Sequence, residues 1–143
     1  MPGKFLIDLT DPRFLIPENA DVMDFVRRTS PSAHTDVGIR LLDLAKEIPG
    51  ASAYCPSFRS CAYVVLHTDA DRIFAIAFSQ RGLAFRLGAR NRGVALADGG
   101  VAAPAIGPDW FAFAPYDTPG VTGSEVRLRH WCNQAFTDAV EAK

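Results

Sequence analysis

The chain has 143 residues, 48% of them hydrophobic and 22% charged, with a formal net charge of −1. That length accommodates one well-buried core and not two, and the charged fraction excludes compositional disorder. A near-neutral chain is drawn to nucleic acid or anionic lipid only through a local patch, and no apolar run approaches the ~18 residues needed to span a bilayer.

The N-terminal stretch MPGKFLIDLTDPRF meets acids and a proline early and has no small-residue cleavage pattern, which predicts that it is not a signal peptide. Asn19 or Asp21 caps a short predicted helix over 21–28, and SPSAH breaks it. A second helix is predicted over 35–48, because Val37, Leu41, Leu44 and Ile48 fall on one helical face and Pro49-Gly50 follows. From residue 51 to residue 88 the period changes to two, giving strands over 53–58, 61–67, 72–78 and 83–87 with TDAD and SQRG as turns. Residues 91–97 form one or two helical turns, ADGGVAAPAIGPD is loop, and 110–116 is a fifth strand. A final helix runs from Ser124 to about residue 142, burying Leu128, Trp131, Ala135 and Ala139.

Strands adjacent in sequence and joined by tight turns pair antiparallel, and helices gather before and after them. The pattern is that of a single α+β domain, with an antiparallel sheet of about five strands and helices packed on one of its faces. In the hairpin IFAIAFSQRGLAFRLG, hydrophobic matching favours an even loop that sets Phe78 opposite Leu83 and Ile76 opposite Phe85. One face then carries the large side chains, and the other carries Ile73, Ala75, Ala77, Ala84 and Arg86. A solvent-facing strand favours threonine, lysine or glutamate there. The small residues instead leave room for a cover: one of the chain's own helices, a second copy, or a ligand. Ile73, Ala75, Ala77 and Ala84 are therefore the candidate interface residues.

Between Arg72 and Ala97 there are five arginines and no acid. Arginine presents a planar fork of donors suited to phosphate or carboxylate, so Arg81, Arg86, Arg90 and Arg92 are candidate anion ligands. The competing reading has them solvating the hairpin or pairing with acids elsewhere. Three cysteines do not make a disulfide framework, and free thiols point to a reducing cytoplasm. Cys55, Cys61 and His67 match no compact zinc spacing, and His130 and Cys132 sit on different sides of a helix. No metal, no cofactor and no catalytic residue is predicted. Asp69 and Asp71 are turn residues, and Trp110 and Trp131 are core.

The order RIFAIAFSQRGLAFRL, GPDWFAFAP, LRHWCNQAFTDAV resembles the YjbR/MmcQ-like and TfoX N-terminal-domain-like small bacterial proteins. The matching positions are 73–77, 83–87, 107–110, and Leu128, Trp131, Ala135 and Ala139. The resemblance covers about residues 51–142, with residues 1–30 as an addition. It implies a secretion-chaperone-like α+β fold without catalytic apparatus, and a link to DNA binding or transcriptional regulation in some relatives. Where such relatives carry lysine after the hairpin, this chain has alanine and arginine. The expected function is thus a non-catalytic domain that associates with itself or with another protein. A DNA- or phosphate-ligand-binding protein using the arginines is the alternative.

Overall fold

A computed structural model describes residues 14–29, 31, 33, 35–55, 63–79, 82–113 and 124–141. A 3-10 turn (Pro17–Asn19) leads into α1 (Ala20–Thr29), followed by α2 (Thr35–Lys46), β1 (Ser52–Tyr54), β2 (Val64–His67), β3 (Ile73–Ala77) and β4 (Leu83–Arg86). Then come α3 (Ala89–Ala97), β5 (Val101–Ala102), β6 (Trp110–Phe113) and α4 (Ser124–Glu141). The strands form one six-stranded sheet in the order β1-β2-β3-β4-β6-β5, with every neighbouring pair antiparallel. The fold is α+β, as the clustering of helices around a run of strands implies. The sixth strand, β5, lies within a segment whose glycines and proline had marked it as loop.

Two separate cores lie on the two sides of this sheet, which corrects the expectation of helices on a single face. Beneath α2 and α4, Val37, Leu41, Leu44, Leu128, Trp131 and Ala135 pack on Leu66, Phe74, Ala77, Leu83 and Phe85. On the other side, Val22, Met23, Phe25 and Val26 of α1 pack with Phe14 on Val65, Ile73, Ile76, Ala84 and Trp110. Residues 14–29 are therefore integral to the core. A sheet covered on both sides has no solvated face, and β3, at its centre, is buried at all five positions.

The hairpin register differs from the matched one. Ala75 faces Phe85, Ile76 faces Ala84 and Ala77 faces Leu83, the one-residue slip that hydrophobic matching disfavours. Phe78 N–H donates to Gly82 O at 2.9 Å, so an odd number of residues, 79–81, connects the strands. A β-bulge supplies the second shift. His67 faces Ile73 and Leu66 faces Ala75, leaving Phe74 with no opposite number, so Phe74 and Ala75 both point to the α2/α4 core. β3 thereby places large side chains on both faces, Phe74 on one and Ile73 and Ile76 on the other, where a strict alternation would have put Phe74 and Ile76 together.

The N-terminal segment is tied to this bulge by one side chain. Asn19 is fully buried. Its Nδ2 donates to Phe14 O at 3.2 Å and to Asp71 O at 2.9 Å, and its Oδ1 accepts from Ile73 N–H at 2.8 Å. Asp71 closes the β2–β3 turn with φ 65°, inside a loop where Thr68 Oγ1 accepts from Ala70 N–H at 3.2 Å. The side chain that accepts from the turn's N–H groups is thus Thr68, where the sequence had pointed to Asp69 and Asp71, and Asp71 contributes its left-handed backbone.

Candidate functional site

Two regions compete as the site: the arginine-bearing end of the sheet and its outer edge. At the first, β4 ends in Arg86, whose Nη2 donates to the Glu18 carbonyl and, at 3.0 Å, to Asp21 Oδ1. Its guanidinium lies 5.5 Å from the centre of the Trp110 ring, the residue it faces across β4–β6. Arg72 Nη1 donates to Ala139 O at 2.9 Å, close to the end of α4, where a cation complements the helix dipole. Arg90 stands 3.3 Å from Glu141 Oε1, and Arg92 stands 2.5 Å from Asp109 Oδ1. Arg81 lies outside the described residues.

The structure thus brings Arg86, Arg90 and Arg92 to one end of the sheet, each with a carboxylate within ion-pair distance. Glu18, Asp21, Arg72, Arg86, Asp109 and Asp138 line a cleft there of about 440 Å³. Its four carboxylates are met by Arg72 and Arg86 and, at the rim, by Arg92 on Asp109 and Arg90 at 4.0 Å from Asp138, so an incoming anion would compete with acids already in place. The N-terminus of α3 is likewise occupied from within. Gly88 has no side chain with which to cap it, and Asp138 of α4 accepts instead from Gly88 N–H at 2.7 Å and from Asn91 Nδ2 at 2.8 Å. Sequence reasoning missed these acids because they lie far along the chain, Asp21 and Arg86 being 65 residues apart.

The candidate interface residues are each fully buried: Ile73, Ala75, Ala77 and Ala84 expose nothing. Ala75 and Ala77 lie under α2 and α4, and Ile73 and Ala84 lie under α1. Of the three covers weighed, the chain's own helices are the one present, so these four side chains form no free surface.

Small residues continue beyond that cover. Across the α1 side of the sheet, Val65 faces Ile76, Ile76 faces Ala84, Ala84 faces Ala112 and Ala112 faces Val101. The first three are buried, Ala112 is half-buried, and Val101 is 64% exposed. The row therefore leaves the shelter of α1 as it reaches β5, the last strand of the sheet among the described residues. From Gly93 to Ala105 the chain reads GVALADGGVAAPA, with Asp98 as its one charged residue. Asp98 is turned inward to α4, accepting from Trp131 Nε1 at 2.7 Å and lying 3.7 Å from Arg127 Nε. Val94, Leu96 and Val101 are at least half exposed. Edge strands are ordinarily guarded by lysine or another charge, and β5 carries none.

Among the described residues thiol chemistry finds no activated group, and Cys61 lies outside them. Cys55 is disulfide-bonded, which corrects the expectation of three free thiols and removes the ground on which a reducing cytoplasm was expected. Cys132 is free and buried. Burial first, and then the Glu47 carboxylate, push its thiol up to about 12, the reverse of what a nucleophile requires. Among the described residues, no group of three or more His, Cys, Asp or Glu is placed to hold a metal ion, and no helix is long and apolar enough to cross a membrane. Comparison of the chain with protein-family models, with curated proteins and with solved structures finds no match in any of the three.

Proposed function

We propose that the protein is a non-catalytic interaction domain, and that its docking surface is the open β6–β5 end of the sheet with the adjoining flank of α3. The observation that carries this reading is the run from Gly93 to Ala105. It exposes Leu96 and Val101 beside an unguarded strand edge, and its single charge is taken up by Trp131 and Arg127. Aliphatic side chains left in water around an open edge favour association with another protein surface. The resemblance to YjbR/MmcQ-like and TfoX N-terminal-domain-like proteins belongs to the same proposal, supported by the β3–β4 hairpin and the buried Leu128, Trp131, Ala135 and Ala139 of α4.

A DNA or phosphate ligand has weaker support. It would have to displace Asp21, Glu141 and Asp109 from Arg86, Arg90 and Arg92. Hydrophobic-interaction chromatography separates the two readings. The wild type is expected to be retained and the Leu96→Glu/Val101→Lys variant to elute early, with both equally stable. Equal retention of the two proteins refutes the proposed surface, and salt-sensitive retention on heparin would move the site to the arginines.

A further inference from the structure

Resting on the docking surface just proposed, we infer that its occupant is a second copy of this chain, joined edge to edge through β5 about a twofold axis at Ala102. The backbone sets the geometry. Ala103 N–H donates to Trp110 O at 2.9 Å, and Val101 faces Ala112, so residues 101 and 103 direct their polar groups toward β6. Alternation then turns the N–H and C=O of Ala102 away from the sheet. An antiparallel partner with Ala102 opposite Ala102 satisfies those two groups by exchanging both hydrogen bonds, and that arrangement is symmetric by construction.

The ladder ends itself on either side. Gly100 N–H is already held by Ala95 O at 2.8 Å, and Pro104 has no N–H, so the pairing of 100 with 104 that would follow lacks both donors. One register is therefore available, which an edge of uniform residues would not specify.

Side chains agree with that register. A twofold axis places identical residues against each other, and like charges in that position repel. The segment brings none, since Asp98 faces α4. Val101 comes opposite the second copy's Ala103, extending the row Ala84–Ala112–Val101 across the junction. On the other side of the sheet α3 contributes Leu96. Arg90 marks the α4 flank of that helix through its pair with Glu141, and Leu96, six residues on, lies on the opposite flank, toward the open edge. Leu96 is half exposed in the single chain, and the second copy's α3 would cover it.

Analytical ultracentrifugation over a wide concentration range, with a crosslinking arm, tests the inference. The wild type is expected to shift from one to two chains as concentration rises, and Val101→Lys to remain a monomer. In Ala102→Cys, the two Cα atoms come about 5.5 Å apart, within the ~4.4–6.8 Å span of a disulfide. Copper phenanthroline should therefore oxidise it to a covalent dimer much faster than Ala89→Cys at the far end of α3. A wild type monomeric throughout, a dimer indifferent to Val101→Lys, or equal crosslinking of the two cysteine variants each overturns it. If the wild type is monomeric and Val101→Lys still loses chromatographic retention, self-pairing fails while the docking surface stands. If retention is unchanged as well, both fail. Should Val101→Lys not fold by circular dichroism, the cysteine pair decides alone.

Discussion

Replacing Asn19 by alanine removes the clamp between the N-terminal segment and the bulged strand. Three hydrogen bonds, at 3.2, 2.9 and 2.8 Å, disappear from a residue with no solvent exposure. The Ile73 N–H is the costly loss, because a buried donor without an acceptor costs about 1–3 kcal/mol, whereas the two carbonyls each have a second lone pair. With the carbonyl bonds contributing about 0.5–1.5 kcal/mol each, the sum centres on about 4 kcal/mol. An unfolding entropy of about 2.1 cal/mol/K per residue amounts to ~0.3 kcal/mol/K for this length, so Tm is expected to fall by about 13 °C. Urea unfolding should show a lower midpoint at an unchanged slope, and hydrogen exchange should show the Ile73 amide losing its protection. A loss of under 1 kcal/mol, or an Ile73 amide as protected as before, would refute the view that this side chain holds residues 14–29 to the sheet.

Two further outcomes follow from the same structure. At Gly107, a Cβ would overlap the Asp21 carboxylate and come within 3.0 Å of Trp110 Cδ1. Gly107→Ala should therefore cost ~1–3 kcal/mol in chemical denaturation, in the range of an overpacked core, and a neutral result would mean that Asp21 moves aside freely. Cys132, with its thiol raised from 9.0 to about 12 in the folded protein, keeps its proton where the unfolded chain has lost it. The stability it contributes is complete below pH 9.0 and declines as pH rises toward 12, since the unfolded state then binds fewer protons. Cys132→Ala should flatten that alkaline decline, and an identical pH profile would refute the assignment.

The elements were legible wherever periodicity had one cause. The Val37, Leu41, Leu44, Ile48 stripe and the Leu128, Trp131, Ala135, Ala139 stripe are buried as their spacing implies, because a helix on a sheet has one inward face. The phase of β3 was not legible, since it depends on a bulge at Phe74 and on three residues, 79–81, between the facing pairs. Each of these inverts the alternation without altering composition. The α1 side was missed for a related reason. Val22, Met23, Phe25 and Val26 give α1 a clear apolar face, but nothing local says which side of a sheet a helix covers. Arginine clustering was legible, whereas the acids that neutralise it come from the 3-10 turn, α1, the β5–β6 connection and α4, and only the fold assembles them.

A central strand closed in on both sides has a further consequence, for how the molecule tolerates change. At Ile73, Phe74, Ala75, Ile76 and Ala77 every side chain meets a neighbour fixed from above or below, and a bulkier group at any of them has nowhere to go. Change is accordingly tolerated outward, at Ser52 and Ala53 of β1, where solvent takes up a difference in size. Selection for a new contact would find its raw material at that flank, with the middle of the sheet held constant beside it.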